Sequence, residues 1–123
     1  ALSFQSSALS TQHLVFNLEK AIAEFEGDKE LLAEVIAGFI GKVSEQIGTM
    51  RAALSRGDAE TVRKEAHSIK GGAASLTAEN LAKSALDLEN KGKSKDLDGA
   101  GEILDELGTE FNLLRQYIEE NFT

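Results

Sequence analysis

The chain contains no cysteine, no proline and no tryptophan among its 123 residues. Without cysteine it can form neither a disulfide framework nor a reactive thiolate. Without proline it lacks the strongest helix breaker, so long uninterrupted helices can form. Its first residues do not follow the basic-then-apolar pattern of a signal peptide, and no apolar run approaches the roughly 20 residues that a membrane span needs. We therefore expect no direct contact with a membrane.

Positive charge is scarce as well. Lysine and arginine number 13 against 21 aspartates and glutamates, and the net charge is −8. A chain this acidic repels phosphate backbones, which argues against a nucleic-acid partner. The hydrophobic share of 41% and the charged share of 28% are typical of a soluble globular domain, and this length leaves room for one core. We expect a single acidic domain located in the cytoplasm.

Apolar residues recur at the intervals of three and four that are typical of amphipathic helices, and no segment alternates as a half-buried strand would. Residues 1–12 have no such period, so we interpret them as a flexible tail or linker, with the folded domain over residues 13–123. Gly27 ends a short first helix. The four longer helices are expected at about 28–55, 58–76, 77–93 and 96–121, with Asp28, Asp58 and Thr77 as N-caps.

Four amphipathic helices joined by short turns predict an all-α protein, an antiparallel four-helix bundle with a short additional N-terminal helix. Two features of the first long helix call for an explanation. Leu31, Val35 and Ile40 widen its apolar stripe, which predicts contacts with more than one neighbour. Its interior glycines each cost about 1 kcal/mol relative to alanine, and a close approach of another helix would explain them. These glycines are Gly38, Gly41 and Gly48.

His67 is the most informative residue of the sequence. At about 100° per residue, the helix from Asp58 to Leu76 turns His67 roughly 140° away from its apolar stripe and toward solvent. Three of its neighbours on that face are cationic and two are small. These neighbours are Arg63, Lys64, Lys70, Gly71 and Ala74.

A single exposed histidine on a charged helix face usually has no function. A lysine three residues later and a glycine four residues later favour a functional site instead. The pair Gly71–Gly72 costs the helix about 2 kcal/mol relative to alanines, which suggests that access beside the ring is needed. A nitrogen nucleophile flanked by cations suits the capture of a phosphoryl group, which carries nearly two negative charges.

Other chemistries have little support in the sequence. The two histidines, His13 and His67, provide no zinc-binding set, and we assign no function to His13. The sequence contains no phosphate-binding loop, no dinucleotide-binding motif and no nucleophile elbow. We expect no metal site and no cofactor.

The run AHSIKGGAA at residues 66–74, followed by Leu88 and Glu89, resembles the histidine-containing phosphotransfer (HPt) family. The pattern of that family is A-H-x-[L/I]-K-G-x-A with a later L-E, and the resemblance covers most of residues 14–120. One departure is Thr77, which stands ten residues after the histidine, where the family usually has glycine. We interpret Thr77 as a substitute N-cap.

The resemblance implies a role for each matching residue. His67 would be the phosphoacceptor, reacting through Nε2, and Lys70 would interact with the phosphoryl group. Gly71 would leave space for an incoming receiver domain. Glu89 would accept a hydrogen bond from the other ring nitrogen, which selects the tautomer in which Nε2 is the nucleophile.

The resemblance also implies a function, that of a phosphorelay intermediate in bacterial two-component signalling. His67 would take a phosphoryl group from a receiver-domain aspartate and pass it to another response regulator. The receiver would supply Mg²⁺ and most catalytic groups, so the chain would be a monomeric phosphocarrier without turnover of its own. The linker-like start favours an HPt domain of a hybrid sensor histidine kinase, such as the cytoplasmic part of a membrane-bound sensor.

Two alternatives remain open at the level of sequence. The same motif resembles the phosphoacceptor domain of chemotaxis-type histidine kinases, in which a separate kinase domain would transfer the phosphoryl group from ATP. A helical interaction module that no longer transfers phosphate is the third hypothesis, and the intact residues around His67 argue against it.

Overall fold

A computed structural model describes residues 17–122, and the predicted tail at residues 1–12 lies outside them. Within the described residues the chain is all α, with no strand. The helices are α1 (Leu18–Glu24), α2 (Lys29–Ser55), α3 (Ala59–Ser75), α4 (Glu79–Ser94) and α5 (Ala100–Phe122).

The four long helices form a closed bundle. Helix α2 packs against α3 and α5, and α4 packs against the same two helices, with α3 and α4 in the closest association. Links of only three to five residues join consecutive long helices, so neighbours run antiparallel. The predicted antiparallel four-helix bundle with a short N-terminal helix is confirmed.

None of the helices described over residues 17–122 is both long and apolar enough to cross a membrane.

The core contains most of the residues that the apolar periods place inside. The apolar stripe of the predicted helix 58–76, in which residues recur at intervals of three and four, is entirely buried and consists of Val62, Ala66, Ile69, Ala73 and Leu76. The prediction for the widened stripe of α2 is partly wrong. Ile40 packs against the core, but Leu31 and Val35 are exposed, because the flank of α2 that carries them has no covering helix among the described residues.

Aspartate N-caps begin two of the long helices, as predicted. The Asp28 carboxylate accepts a hydrogen bond from the backbone N–H of Leu31 at 3.0 Å. The Asp58 carboxylate accepts one from the N–H of Thr61 at 3.1 Å. Each bond satisfies a backbone donor that the first turn of a helix leaves free.

The prediction that Thr77 caps α4 is wrong. Ala78 occupies the N-cap position without a side-chain cap, and Thr77 has a φ of +61°. Glycine adopts this left-handed conformation without strain, whereas a β-branched residue does not. The Thr77 hydroxyl instead donates to the backbone oxygen of Asn17 at 2.9 Å, so the strained residue attaches the start of α1 to the α3–α4 turn.

Helix α5 begins four residues later than predicted, at Ala100 instead of about Asp96. The chain must reverse between α4 and α5, and both Lys95 and Gly99 have positive φ values there. The Asp96 carboxylate accepts from the N–H of Asp98 at 3.1 Å, which closes a local turn that competes with helix.

The interior glycines of α2 do not mark a close approach of another helix, and a glycine of α4 does. A Cβ added at Gly38, Gly41 or Gly48 would meet nothing within 4 Å, so that explanation is wrong. A Cβ at Gly92 would lie 2.8 Å from both the Ala59 oxygen and the Arg63 nitrogen. Gly92 therefore permits the close packing of α4 against α3.

This packing predicts opposite effects for two glycine-to-alanine substitutions. Gly92→Ala should destabilise the bundle by about 1–3 kcal/mol, because backbone atoms of α3 cannot make room without moving the helix. Gly48→Ala, in an exposed and open helical position, should stabilise it by up to about 1 kcal/mol. Urea unfolding of both variants would measure the difference. Equal effects of the two substitutions would contradict the close α3–α4 contact.

Candidate functional site

His67 projects from the middle of α3 on the side opposite the buried stripe. Its side chain is 63% exposed, whereas Ala66 and Ile69 beside it in the sequence are fully buried. The prediction that the ring points toward solvent is confirmed. The helix holds the backbone rigidly, so the position of the ring depends on what its nitrogens contact.

The Glu89 carboxylate contacts one of those nitrogens. Glu89 lies on α4 and is only 2% exposed, and its Oε2 is 2.7 Å from Nδ1 of His67. The inward position of Glu89 follows from the helix period, because Ala85 four residues earlier and Gly92 three residues later are buried on the same face of α4. The two helices thus bring together residues that lie 22 positions apart in the chain.

Cations surround the same carboxylate. Nζ of Lys70, one turn after His67 on α3, donates to Oε1 of Glu89 at 2.6 Å. Nζ of Lys93, one turn after Glu89 on α4, lies 3.7 Å from Oε2. The hydrogen bond from Lys70, with smaller effects of His67 and Lys93, lowers the pKa of Glu89 to about 2 against the opposing effect of burial.

These contacts determine which ring nitrogen carries the proton. Glu89 is ionised at neutral pH, and an ionised carboxylate can only accept hydrogen bonds. Nδ1 of His67 must therefore be the donor. In the neutral ring Nε2 is then unprotonated, faces away from the carboxylate and has a free lone pair. The arrangement presents a nitrogen nucleophile on an exposed ring.

The remaining predicted site residues line α3 around the ring without joining the Glu89 cluster. Lys64, Gly71 and Ala74 are exposed. A Cβ added at Gly71 would meet nothing within 4 Å, so the surface beside His67 is open there. Arg63 is half-buried, and its guanidinium binds Glu60 one turn earlier in α3.

Sequence reasoning missed two features of the site. Lys93 was placed only at the end of its helix, although its spacing of four residues from Glu89 indicates an ion pair across one turn. Gly72 was grouped with Gly71 as a source of access, but it has a different role. A Cβ at Gly72 would lie 2.5 Å from the ring of Phe39, so this glycine accommodates an aromatic side chain of α2.

Comparison with known proteins identifies the family of the chain. The sequence model of the Hpt domain family matches residues 34–120, well over half of the chain. Among curated proteins, no sequence matches this chain significantly.

Two solved structures are similar in fold. The histidine-containing phosphotransfer protein B (HptB) of Pseudomonas aeruginosa PAO1 has a TM-score of 0.80 and 25% identity, over 85% of this chain and 91% of that one. The HPT domain of an Hpt sensor hybrid histidine kinase from Shewanella has a TM-score of 0.71 and 18% identity, over 88% and 97%. With the family match, these findings show that the chain belongs to the Hpt domain family and is a phosphorelay intermediate of two-component signalling.

Proposed function

We propose that His67 is the phosphoacceptor of this relay. It would take a phosphoryl group from the aspartyl phosphate of one receiver domain and pass it to the aspartate of another. The observation that carries the proposal is the 2.7 Å contact between Nδ1 and the buried Glu89 carboxylate, on a ring that is otherwise exposed. This contact leaves Nε2 as the nucleophile on the surface of the domain.

The chemical step balances without any further reactant. The Nε2 lone pair attacks phosphorus, the new N–P bond forms, and the P–O bond to the receiver's aspartate breaks as that carboxylate leaves. The proton on Nδ1 stays in place, so the phosphorylated ring carries a positive charge. Because its pKa is about 2, Glu89 is ionised at neutral pH, and its negative charge then stabilises the positive ring.

Nearby residues support this assignment. Lys70 lies one turn from His67 with a flexible stem, and we propose that its ammonium turns from Glu89 to the phosphoryl oxygens. The open surface at Gly71, with Ala74 and Lys64, would accept the receiver. One chain suffices as a monomer, because α3 and α4 of the same chain supply both His67 and Glu89.

Intact-mass measurement tests the phosphoacceptor directly. The chain would be mixed with receiver domains charged by acetyl phosphate, and an acid wash would test for the labile P–N bond. We expect one acid-labile phosphoryl group on the wild-type chain and none on His67→Gln. Lys70→Gln should fold normally but accept the group more slowly, because a cation near the transferred charge is lost.

The remaining outcomes would overturn the proposal in distinguishable ways. Phosphorylation of His67→Gln would assign the acceptor to another residue. Labelling only by an ATP-dependent kinase domain would indicate a chemotaxis-type phosphoacceptor. The absence of any adduct, with receivers still bound, would indicate an interaction module.

Substitution of Glu89 separates its charge from its hydrogen bond. Glu89→Gln can still accept from Nδ1, so ¹⁵N NMR should show the same His67 tautomer. The rate of phosphoryl transfer should fall about fivefold, because a neutral acceptor contributes about 1 kcal/mol less than a charged one. Glu89→Ala should lose the tautomer preference as well. An unchanged transfer rate in both variants would contradict a role for the carboxylate.

The low pKa of Glu89 also predicts how stability depends on pH. This carboxyl group titrates at about 2 in the folded chain against an ordinary value of 4.5. Its ionised form thus contributes stability that is fully present above about pH 4.5 and is lost as the pH falls toward 2. The difference in unfolding free energy between wild type and Glu89→Gln should shrink over that range. A difference that stays constant from pH 6 to pH 3 would contradict the low pKa.

A further inference from the structure

Lys93 has no part in the phosphotransfer as described so far, yet it belongs to the cluster around Glu89. Its Nζ lies 3.7 Å from Oε2, the oxygen that contacts His67. Its side chain is mostly exposed, so the ammonium is free to approach or leave. At this distance Lys93 forms an ion pair with the carboxylate, while Lys70 at 2.6 Å forms a hydrogen bond.

The partners of the Glu89 carboxylate change during the proposed reaction. When Lys70 turns to the phosphoryl group, the carboxylate loses its strongest partner while it remains buried. Apart from Lys93, the hydrogen bond from Nδ1 of His67 is then the contact that compensates its charge. A buried carboxylate with too few partners is driven to take up a proton or to move. Either change would weaken the contact with Nδ1 at the moment when the ring acquires its positive charge.

We propose that Lys93 is a positioning residue for phosphotransfer, which takes over as the counter-ion of Glu89 when Lys70 moves to the phosphoryl group. The inference rests on the proposed role of His67. It needs only a small movement, because Lys93 lies one helical turn from Glu89 on the same face of α4. The shift from 3.7 Å to hydrogen-bond distance is within the reach of an exposed lysine side chain.

The other charged groups near the carboxylate are less suited to this task. From α3, Nδ1 of His67 already donates to Glu89, and Lys70 is engaged with the phosphoryl group once transfer begins. The guanidinium of Arg63, also on α3, donates to Glu60, and Glu89 contributes less than Glu60 to its raised pKa. Lys93 is the partner from α4, the helix that carries Glu89 itself.

The takeover can be tested in the resting chain, without any phosphorylation. The Glu89 carboxyl would be titrated by ¹³C NMR in four chains: wild type, Lys70→Gln, Lys93→Gln and the double variant. Lys70→Gln imitates the departure of Lys70, so Lys93→Gln should raise the pKa of Glu89 more in that background than in the wild type. Lys91→Gln is the matched control, because Lys91 lies two residues away on the other side of α4.

Transfer kinetics provide the second measurement. Lys93→Gln should slow phosphoryl transfer from a charged receiver about threefold, as expected for the loss of a partly exposed ion pair, and Lys91→Gln should not. The acid limb of the pH–rate profile should move to higher pH only in Lys93→Gln, because a purely structural effect would lower the rate equally at all pH values.

Each contrary result identifies what has failed. Equal effects of Lys93→Gln and Lys91→Gln on the Glu89 titration would overturn the proposal that Lys93 replaces Lys70 as the counter-ion of Glu89. A slower transfer with an unchanged titration would overturn it too, and would indicate that Lys93 contacts the receiver. If the titration behaves as expected but the wild-type His67 accepts no phosphoryl group, the proposed function fails while the pairing of Lys93 with Glu89 stands.

Discussion

A single buried carboxylate organises the site. Removing Glu89 from water costs several kcal/mol unless partners compensate its charge, and the partners are His67 and Lys70 on the neighbouring helix. The same bonds that make the buried charge tolerable also orient the imidazole and keep an ammonium beside it. The stability of the bundle and the reactivity of the ring therefore depend on one set of contacts, those of His67 and Lys70 with Glu89.

The bundle provides this carboxylate through an asymmetry in its packing. Gly92, three residues after Glu89 in the sequence, lets α4 approach the backbone of α3 at Ala59 and Arg63. Such a short separation allows a glutamate side chain to span the gap with both oxygens engaged. Helix α2 is packed less completely, and Leu31 and Val35 remain exposed on it. The tightest interface of the bundle is thus the one that builds the site.

The sequence predicted much of this fold because helix period and capping are local properties. The stripe of α3, the caps Asp28 and Asp58, and the exposure of His67 all follow from residues within a few turns. The place of Glu89 beside the ring was expected only through the resemblance to the HPt family. Its spacing from the apolar stripe agreed with that expectation, but could not by itself say which neighbour the side chain meets.

The errors have physical causes that no local pattern contains. Thr77 takes a left-handed conformation in the tight turn between α3 and α4. Its hydroxyl donates a hydrogen bond to the backbone oxygen of Asn17, which lies 60 residues earlier in the chain. The glycine contacts depend on which helices touch, so Gly92 could not be distinguished from Gly48 in advance. The spacing of Lys93 from Glu89 indicates an ion pair, but the importance of that pair depends on the burial of Glu89, which the local sequence does not show.

The short distance in sequence between His67 and Glu89 has a consequence for how the protein assembles. The two residues belong to consecutive helices joined by a three-residue link, so their contact closes a loop of only 22 residues. Loops of this size cost little chain entropy, and helical hairpins with local contacts form rapidly. We expect the α3–α4 hairpin to be an early folding unit, in which the reactive pair meets before α5 completes the core.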